Sequence, residues 1–519
     1  MKAISLLKEQ KYHTPVLSKS NVTILLCLII FIAAFLRLYY LSAYSFLSDD
    51  IKTIETIEKG YVSATIEDAA KRGHPPFYFI ILYYWTLIIG SNEFAIKIPS
   101  VMFGILSVFV LFKLASLIFD NKTALIGALL LAVNPEHFFC SYVLKQYTLT
   151  VLLGLVSVYL LLLALKSASG NPSPSAKDTS GGRTILWIVF NISNIALLCT
   201  HNSGIFVVLT EMVYIAIVFR KYKCGLQLFS SIVVICLSGV AIFLLQKGYS
   251  HSEVSTKLRW LGKPTLETFP YILSSFIAGL HIKIPKDQSP YISAELPVKI
   301  GFFVFFSCFL LLGIFKYFWG DKQKTISSTG NYKPLIYIWS TIPIASSCVI
   351  SFLLWPIFGP TQYHLFWSCS ILLLVAKGFA AIGKLRFICP ALLIAVCIYL
   401  FPIITITKGN DPRKLNWKGV ANYLLKNVSD GETVHVLDSD YVSLPLRYYY
   451  KEDVYIGISK VFEKMTSNVS GGRSKGVFLI EALESGLPVG WDRNLDMFYA
   501  NKEVKQLYHI KVTHYWNQR

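Results

Sequence analysis

The chain has 519 residues, of which 54% are hydrophobic and only 15% are charged, against roughly 25% charged in ordinary soluble domains. With a mean hydropathy of +0.53, this composition excludes an ordinary soluble protein and indicates a membrane protein with many spans. The formal net charge of +19 does not indicate nucleic-acid binding, because the basic residues lie mostly in short loops between apolar runs, where they orient helices in the membrane.

The first apolar run covers residues 22–41 and follows a segment rich in lysine. It is too long for a removable signal peptide and lacks a small-residue cleavage site, so we expect a retained helix, with residues 1–21 in the cytoplasm. Further runs long enough to cross the membrane occupy residues 97–119, 123–140, 148–165, 184–200, 204–220, 226–246, 297–318, 334–355, 362–382 and 387–407. The sequence therefore predicts a helical membrane domain over residues 22–407, with about eleven crossings.

A further apolar run, residues 76–89, is short for a crossing, because it would be roughly 21 Å long as a helix. It is also rich in the aromatic residues that favour a membrane interface. Without a crossing there, each loop on the cytoplasmic side carries basic residues, as the positive-inside rule requires. These residues are Lys122; Lys166, Lys177 and Arg183; Arg220, Lys221 and Lys223; Lys316, Lys322, Lys324 and Lys333; and Lys384 and Arg386. We therefore expect residues 76–89 to lie in or dip into the outer interface and the C-terminus to be outside.

From residue 408 onward the apolar runs become short and charged residues become frequent. Residues 417–426 have a helical pattern, residues 433–437 and 476–480 have strand patterns, and residues 507–513 are a further strand candidate. The sequence therefore predicts a small extracytoplasmic α/β domain over residues 408–519.

An acidic pair, Asp49 and Asp50, stands just past the first span in an apolar context. Partial desolvation or a neighbouring cation can set the pKa of a carboxylate at such a place. One carboxylate could act as a base, with the other as its orienting or metal-binding partner, where an acceptor hydroxyl or amine must lose a proton. The alternative is that one of the two merely caps a helix that begins at Ile51.

A cluster of cations, Lys71, Arg72 and His74, comes directly before Pro75 and Pro76. The prolines fix the backbone just ahead of the expected interfacial helix. Cations at a membrane surface suit the phosphate of a membrane lipid, because charge-assisted hydrogen bonds are strong. The alternative is ordinary contact of long basic side chains with lipid headgroups.

A third cluster, at the outer end of one span and the start of the next, contains Glu136, Lys145 and Tyr147. A lysine at the start of an apolar helix is costly unless it faces a polar cavity or a headgroup. Glu136 is a candidate second acid, although an interfacial glutamate is at least as often solvated surface. His201 and His364 also lie near outer helix ends, where a single histidine is more often structural than catalytic.

The order of these motifs resembles the GT-C membrane glycosyltransferases, in particular the bacterial branch related to protein O-mannosyltransferases and to the aminoarabinose transferases of lipid A. The resemblance covers roughly residues 22–385. Its motifs are the acidic pair, His74-Pro75-Pro76 before an aromatic run, the segment 90–100, and Asn134-Pro135 leading to Lys145-Gln146-Tyr147.

The resemblance implies an inverting transfer of a sugar from a polyprenyl-phosphate carrier to a glycolipid, polysaccharide or protein on the outer face of the cytoplasmic membrane. It also implies that Asp49 is the catalytic base, with Asp50 beside it. The cations implied to hold the lipid phosphate are Lys71, Arg72, His74 and Lys145, and Tyr147, His201 and His364 complete the predicted substrate-binding residues.

Three positions depart from the pattern of the resembled family. Val143 stands where relatives often have an acidic residue, so the second acid is Glu136 or is absent. Residues 360–363 read Pro-Thr-Gln-Tyr where relatives often read Pro-Arg-Tyr, which removes one expected phosphate ligand. Asp50 is shorter than the glutamate that relatives often carry there.

Two functions from other classes stay open at this stage. A transporter or flippase of lipid-linked sugars predicts charged residues near the middle of the membrane and an internal repeat. A non-catalytic membrane scaffold is the other alternative. The ten cysteines include no CxxC pair and signal neither a disulfide framework nor a zinc site. No cofactor is signalled, and dependence on a divalent metal ion stays open.

Overall fold

The structure is a computed structural model. It describes residues 18–39, 41, 45–168, 180–218, 225–249, 264–265, 268–278, 296–319, 332–354, 357–358, 361–383, 385–407, 416–437, 440–456, 475–482, 499–507 and 510–517. Most of the predicted cytoplasmic segment 1–21 lies outside these described residues.

Helices make up most of the described N-terminal part of the chain. Its helices are α1 (Lys19–Tyr39), α2 (Ser48–Ile57), α3 (Val62–Lys71), α4 (Phe77–Ile89), α5 (Glu93–Ile118), α6 (Asn121–Val133), α7 (Pro135–Cys140), α8 (Tyr147–Ala168), α9 (Ser180–Leu198), α10 (Gly204–Val218), α11 (Gly225–Tyr249), α12 (Thr268–Ala278), α13 (Leu296–Phe318), α14 (Lys333–Leu353), α15 (Leu365–Ala381) and α16 (Leu385–Thr407). A short 3-10 turn, Thr361–His364, leads into α15.

Every apolar run that the sequence predicts to cross the membrane is occupied by helix. Within the described residues, seven of these helices are long and apolar enough to cross a membrane. The runs at 123–140, 184–200, 204–220 and 387–407 contain shorter described apolar helices. The prediction of a polytopic helical membrane protein is therefore confirmed.

The predicted span 123–140 is wrong as a single helix, because it is broken at Asn134. The Asn134 side chain accepts a hydrogen bond from the His137 backbone N–H at 3.1 Å, so it caps a new helix, α7. Pro135 stands at the first position of α7, where the missing N–H costs nothing. The break allows α7 to turn away from α6.

The bundle is built around α15, whose residues 365–376 are all buried. Helices α13 and α15 approach with their backbones in direct contact: a Cβ on Gly313 would collide with the Leu374 carbonyl, and one on Gly378 with the Phe309 carbonyl. Small residues at such a crossing are the usual means by which membrane helices pack closely. Any larger side chain at either glycine would push the two helices apart.

A second apolar cluster covers one end of the bundle. It joins α2, α3 and α4 through Ile54, Ala69 and Phe79, and it includes Leu144 from the segment between α7 and α8. Leu444, which belongs to the C-terminal region, also lies in this cluster. The end of the bundle that carries α2 therefore also carries the C-terminal domain.

The C-terminal region is an α/β domain with helices α17 (Trp417–Asn427) and α18 (Asp440–Tyr450). Its strands are β1 (Glu432–Val436), β2 (Val454–Ile456), β3 (Gly476–Ala482), β4 (Asn501–Leu507) and β5 (Ile510–Trp516). They form one sheet in the order β2-β1-β3-β5-β4. β1 is parallel to β2 and β3, whereas β5 is antiparallel to β3 and β4.

The predicted α/β class of this region is confirmed, and the bounds of one predicted strand are wrong. The expected helix and the first two expected strands are present. The single strand expected at 507–513 is instead the junction of β4 and β5, in which Leu507 pairs with Ile510. The pattern was misleading because β4 is an exposed edge strand of mostly polar residues, so it has little of the alternation that marks a half-buried strand.

Candidate active site

The start of α2 is held by Asp50, which is only 2% exposed. One of its carboxylate oxygens accepts a hydrogen bond from the Leu47 N–H at 2.8 Å, and the other accepts from the Leu144 N–H at 2.7 Å. Burial raises the pKa of the Asp50 carboxyl to about 6, against the opposing effects of Lys97 and the two N–H donors. Asp50 therefore uses both oxygens to join α2 to the segment between α7 and α8.

A second hydrogen bond fastens the same two segments. The Thr53 hydroxyl lies 2.9 Å from the Leu144 carbonyl oxygen, to which it can donate, and 3.1 Å from the carbonyl oxygen of Asp49. Both backbone polar groups of Leu144 thus meet side chains of α2. This arrangement fixes the next residue, Lys145, beside the first turn of α2.

Asp49 faces the opposite way from its neighbour. Its side chain is 50% exposed, and one carboxylate oxygen lies 3.3 Å from the ammonium group of Lys145. The Lys145 side chain is only 7% exposed. The structure therefore brings together a reachable carboxylate and a buried cation, from segments almost one hundred residues apart in the chain.

Three rings lie together beside this pair. The ring centroids of Tyr147 and His201 are 5.7 Å apart, and those of His201 and Tyr363 are 5.1 Å apart. Asp49 is close enough to act electrostatically on both tyrosine hydroxyl groups. Tyr147, Tyr363 and His364 line one cleft together with apolar side chains such as Phe206 and Leu365.

His201 is a neutral hydrogen-bond donor in this setting. The Ser203 backbone N–H donates to Nδ1 of His201 at 3.1 Å, so the ring proton is on Nε2. Burial, and then the charge of Lys145, lower the pKa of His201 to about 3. The imidazole therefore carries no charge near neutral pH, and the positive charge at this place comes from Lys145.

Glu136 and His364, which the sequence also predicts as site residues, connect different segments of the chain. Glu136 on α7 is buried and accepts a hydrogen bond from the Thr361 hydroxyl at 2.6 Å. His364 donates from Nε2 to the Phe358 carbonyl oxygen at 3.0 Å, which leaves its Nδ1 as an acceptor. Both contacts fix the turn that carries Tyr363; Pro360 of the same motif lies outside the described residues.

The cations Lys71 and Arg72 are paired with acidic side chains of α2 and α3. Lys71 lies 2.6 Å from Glu67. Arg72 lies 2.7 Å from Asp68 and 3.3 Å from Glu55. These contacts direct both cations along the surface of the α2–α3 pair.

His74 lies closer to the segment that carries Lys145. Its Nδ1 is 3.3 Å from the side-chain nitrogen of Gln146. The His74 ring also lies 5.9 Å from the ring of Phe79 on α4. Of the three predicted cations on this stretch, His74 thus has a described contact with the Lys145 segment.

Sequence reasoning missed a buried arginine, Arg37, in the first span. It is fully buried and donates to the Ser141 hydroxyl at 3.1 Å, to the Ala132 carbonyl oxygen at 2.9 Å and to Nδ1 of His137 at 2.9 Å. These bonds hold α7 and the residues after it against α1. A single arginine inside an apolar span was the available signal, because such residues are costly and carry a function by default.

A second missed group surrounds Glu93 at the start of α5. Its carboxylate lies 3.2 Å from the ammonium groups of both Lys97 and Lys418, and it accepts from the Tyr449 hydroxyl at 3.1 Å. Lys97 within an apolar run was again a signal for this site. The contribution of Tyr449 could not be foreseen, because it comes from the C-terminal domain.

Within the described part of the chain, no group of three or more His, Cys, Asp or Glu side chains could hold a metal ion. The sequence leaves dependence on a divalent metal ion open.

Part of the chain matches a known family. Residues 73–172 match the family model described as dolichyl-phosphate-mannose-protein mannosyltransferase. This stretch contains His74, Glu136, Lys145 and Tyr147. No curated protein matches the chain in a sequence search.

The fold is similar to that of two solved membrane proteins. ArnT from Cupriavidus metallidurans, bound to undecaprenyl phosphate, matches with a TM-score of 0.55 and 12% identity, over 96% of this chain and 98% of that chain. The archaeal oligosaccharyltransferase AglB from Archaeoglobus fulgidus, in complex with an inhibitory peptide and a dolichol-phosphate, matches with a TM-score of 0.50 and 11% identity, over 96% and 74%.

The family match and the fold agree with the resemblance seen in the sequence motifs. The TM-scores of 0.55 and 0.50 show a shared fold. This chain is a multi-pass membrane protein whose fold is similar to that of ArnT and AglB, and its residues 73–172 match the protein mannosyltransferase family model.

Proposed function

We propose that the chain is an inverting glycosyltransferase that moves a sugar from a polyprenyl phosphate to an acceptor on the outer face of the cytoplasmic membrane. The observation that carries this proposal is the Asp49–Lys145 pair: a half-exposed carboxylate 3.3 Å from a buried ammonium group. The lipid phosphates held by the similar structures of ArnT and AglB support the class of donor.

Asp49 serves as the general base in this proposal. It takes the proton of the acceptor hydroxyl or amine as that atom attacks the anomeric carbon. The bond from the anomeric carbon to the phosphate oxygen breaks, and its electron pair leaves with the polyprenyl phosphate. Attack from the side opposite the phosphate inverts the configuration of the anomeric carbon.

Lys145 stabilises the phosphate as negative charge develops on it during the transfer. A buried ammonium group is effective in this role, because water does not screen it and it is already in place when the charge forms. The Nε2–H of His201 and the hydroxyl groups of Tyr147 and Tyr363 add neutral hydrogen-bond donors beside it. Lys71 and Arg72, which face carboxylates of their own, are assigned to the rim of the donor site.

The orientation of the chain follows from charge and from one contact. The lysine-rich loops favour a cytoplasmic N-terminus. The C-terminal domain touches α2 through Leu444, which packs in the same cluster as Ile54. Asp49 and the C-terminal domain therefore lie on one side of the membrane, which we assign to the extracytoplasmic face.

The function is tested by comparing envelope glycans, by mass spectrometry, in cells with and without the gene. Loss of one sugar on deletion, its return with the wild-type gene and its absence with Asp49→Asn are the expected results. Asp430→Asn, in an exposed turn of the C-terminal domain, is the matched control and should restore the sugar. An unchanged set of glycans on deletion, or full restoration by Asp49→Asn, contradicts the proposal.

One observation favours the transporter alternative. Glu211 on α10 is fully buried in the bundle, where it contacts the Ser157 hydroxyl of α8 at 2.6 Å, and ionisable residues at such depth often belong to transport pathways. An assay in detergent distinguishes the two functions. A purified transferase should transfer sugar there, whereas a transporter should not, because it only moves its substrate between two sealed compartments.

A further inference from the structure

The C-terminal domain reaches the segment that comes directly before Asp49. Tyr449, on α18, accepts a hydrogen bond from the Phe46 backbone N–H at 2.8 Å. The Tyr449 hydroxyl in turn donates to the carboxylate of Glu93 at 3.1 Å. One phenol group thus connects the start of α5 with the backbone three residues ahead of Asp49.

Packing around Phe46 strengthens this connection. Its ring is fully buried, with the ring of Tyr448 edge-on at 5.3 Å and that of Tyr449 stacked at 6.1 Å. The Lys97 ammonium group lies 4.8 Å from the centre of the Phe46 ring on another side. Residue 46 is therefore enclosed by the C-terminal domain and α5 together.

A second contact from the C-terminal domain holds the preceding residue. The backbone N–H of Lys418 donates to the Ser45 hydroxyl at 3.2 Å, and the Lys418 ammonium group lies 3.2 Å from Glu93. Contacts from both α17 and α18 therefore converge on residues 45 and 46.

Glu93 sets the direction of the Tyr449 hydroxyl. It lies between the ammonium groups of Lys97 and Lys418, each 3.2 Å away. Its carboxylate accepts the hydrogen bond from the Tyr449 hydroxyl at 3.1 Å, so the hydroxyl proton of Tyr449 points at Glu93. The oxygen lone pairs of Tyr449 are then directed at the Phe46 N–H.

Two successive backbone amides ahead of Asp49 are therefore held from different sides. The Phe46 N–H is bound by Tyr449 of the C-terminal domain, and the Leu47 N–H is bound by Asp50 of α2 itself. We propose that Tyr449 is a positioning residue through which the C-terminal domain fixes the first turn of α2, and with it the Asp49 carboxylate. This inference rests on the proposed transferase function, in which the direction of that carboxylate decides the rate.

The test compares Tyr449→Phe with Tyr448→Phe in the full-length protein. The first change removes the acceptor of the Phe46 N–H. The second change removes the Tyr448 hydroxyl, which has no hydrogen bond among the described residues, and keeps the Tyr448 ring packed on Phe46. Removing the acceptor of a buried donor corresponds to about a tenfold effect. We expect Tyr449→Phe to lower the rate of sugar transfer about tenfold and Tyr448→Phe to leave it within about twofold of wild type.

Two further readouts separate positioning from general damage. The affinity for undecaprenyl phosphate should stay within about twofold of wild type in Tyr449→Phe, because the lipid-phosphate site at Lys145 is untouched. Amide hydrogen exchange of residues 45–57 should rise in the same variant, while exchange in the sheet of the C-terminal domain stays unchanged. Glu93→Gln, which keeps an acceptor for the Tyr449 hydroxyl but loses the ion pairs, should have an intermediate effect.

The inference is overturned if Tyr449→Phe transfers sugar at the wild-type rate, or if its exchange over residues 45–57 equals that of wild type. It is also overturned if Tyr448→Phe has the same effect. Asp49→Asn, measured alongside, keeps the two proposals apart. Transfer retained in Asp49→Asn removes the transferase mechanism, whereas transfer lost in Asp49→Asn but retained in Tyr449→Phe removes the positioning role alone.

Discussion

The two ends of the α2–α3 pair use their charges in opposite ways. At the start of α2, Asp50 is buried and bonded to two backbone N–H groups, and Asp49 beside it is half exposed. At the end of α3, Lys71 and Arg72 lie in partly exposed ion pairs with their own helix. Exposed ion pairs stabilise a protein by only ~0–1 kcal/mol. The start of α2 is therefore held by buried hydrogen bonds to Asp50, whereas the charged side chains at the end of α3 are held only by weaker ion pairs.

A buried cation acts more strongly on a bound phosphate than an exposed cation does, because water does not screen its charge. The side chain of Lys145 is only 7% exposed, whereas that of Lys71 is 49% exposed. We therefore expect changes at the two ends to differ greatly in effect.

The largest difference in stability is expected from Asp50→Ala. The change leaves the N–H groups of Leu47 and Leu144 without an acceptor, at a cost of ~1–3 kcal/mol for each. Asp68→Ala, which removes the partly exposed ion pair with Arg72 and the hydrogen bond from the Thr56 hydroxyl, should cost less, about 1–2 kcal/mol. Hydrogen exchange over residues 45–57 and 62–72 measures both local effects in one experiment. Equal losses in the two variants would show that the start of α2 is no more strongly fixed than the end of α3.

A difference in ligand binding is expected between Lys145→Ala and Lys71→Ala. Loss of a charge-assisted hydrogen bond is worth ~1.5–3 kcal/mol, so Lys145→Ala should weaken undecaprenyl phosphate binding by about 10- to 100-fold. Lys71→Ala should change the affinity by less than about threefold, because that side chain is 49% exposed and water screens its charge. Binding measured with undecaprenyl phosphate in detergent gives both values. The reverse order of effects would move the lipid-phosphate site to the end of α3.

The smallest expected effect is a difference in pH dependence. Burial raises the pKa of Asp50 to about 6, so its contribution to stability is fully present below the unfolded pKa of ~4 and is lost as the pH rises through 6. For Asp68, hydrogen bonds from Thr56 and Arg72 outweigh burial and lower the pKa. Its contribution is present above pH ~4 and is lost as the pH falls below that value.

Hydrogen exchange, corrected for intrinsic rates, should therefore show the start of α2 opening more readily at pH 7 than at pH 5. The end of α3 should be unchanged over that interval. Asp50→Asn removes the titrating group and should abolish the dependence at the start of α2. A dependence that persists in Asp50→Asn would assign it to another group.

Much of the membrane domain could be predicted from the sequence, because a continuous apolar run has few alternatives to a helix in lipid. The exceptions are local. Asn134-Pro135 breaks a predicted span, and the capping preference of asparagine together with proline was visible in the sequence. In the C-terminal domain, α18, β2 and most of β4 were missed, since α18 contains Pro445, β2 has only three residues and β4 is mostly polar.

The site was partly visible in the same way. The sequence singled out Asp49 and Lys145, but their pairing depends on bonds from Asp50 and Thr53 to Leu144 across about ninety residues. No local pattern predicts such bonds.

The ion pairs that Lys71 and Arg72 form with acidic residues could have been predicted from the sequence. Glu67 and Asp68 lie four residues ahead of them, the spacing at which charges meet on a helix. Tyr449 could not be found, because only the docked C-terminal domain brings it to Phe46.

The central claim is that Asp49 is the base and Lys145 the partner of the lipid phosphate. Purified wild-type protein, Asp49→Asn and Asp430→Asn are compared for transfer from the polyprenyl-phosphate sugar that glycan analysis identifies, and for binding of undecaprenyl phosphate. Loss of a general base should slow transfer by about 10²- to 10⁴-fold in Asp49→Asn, with lipid-phosphate binding retained and Asp430→Asn equal to wild type. Transfer by Asp49→Asn within about twofold of wild type would contradict the account.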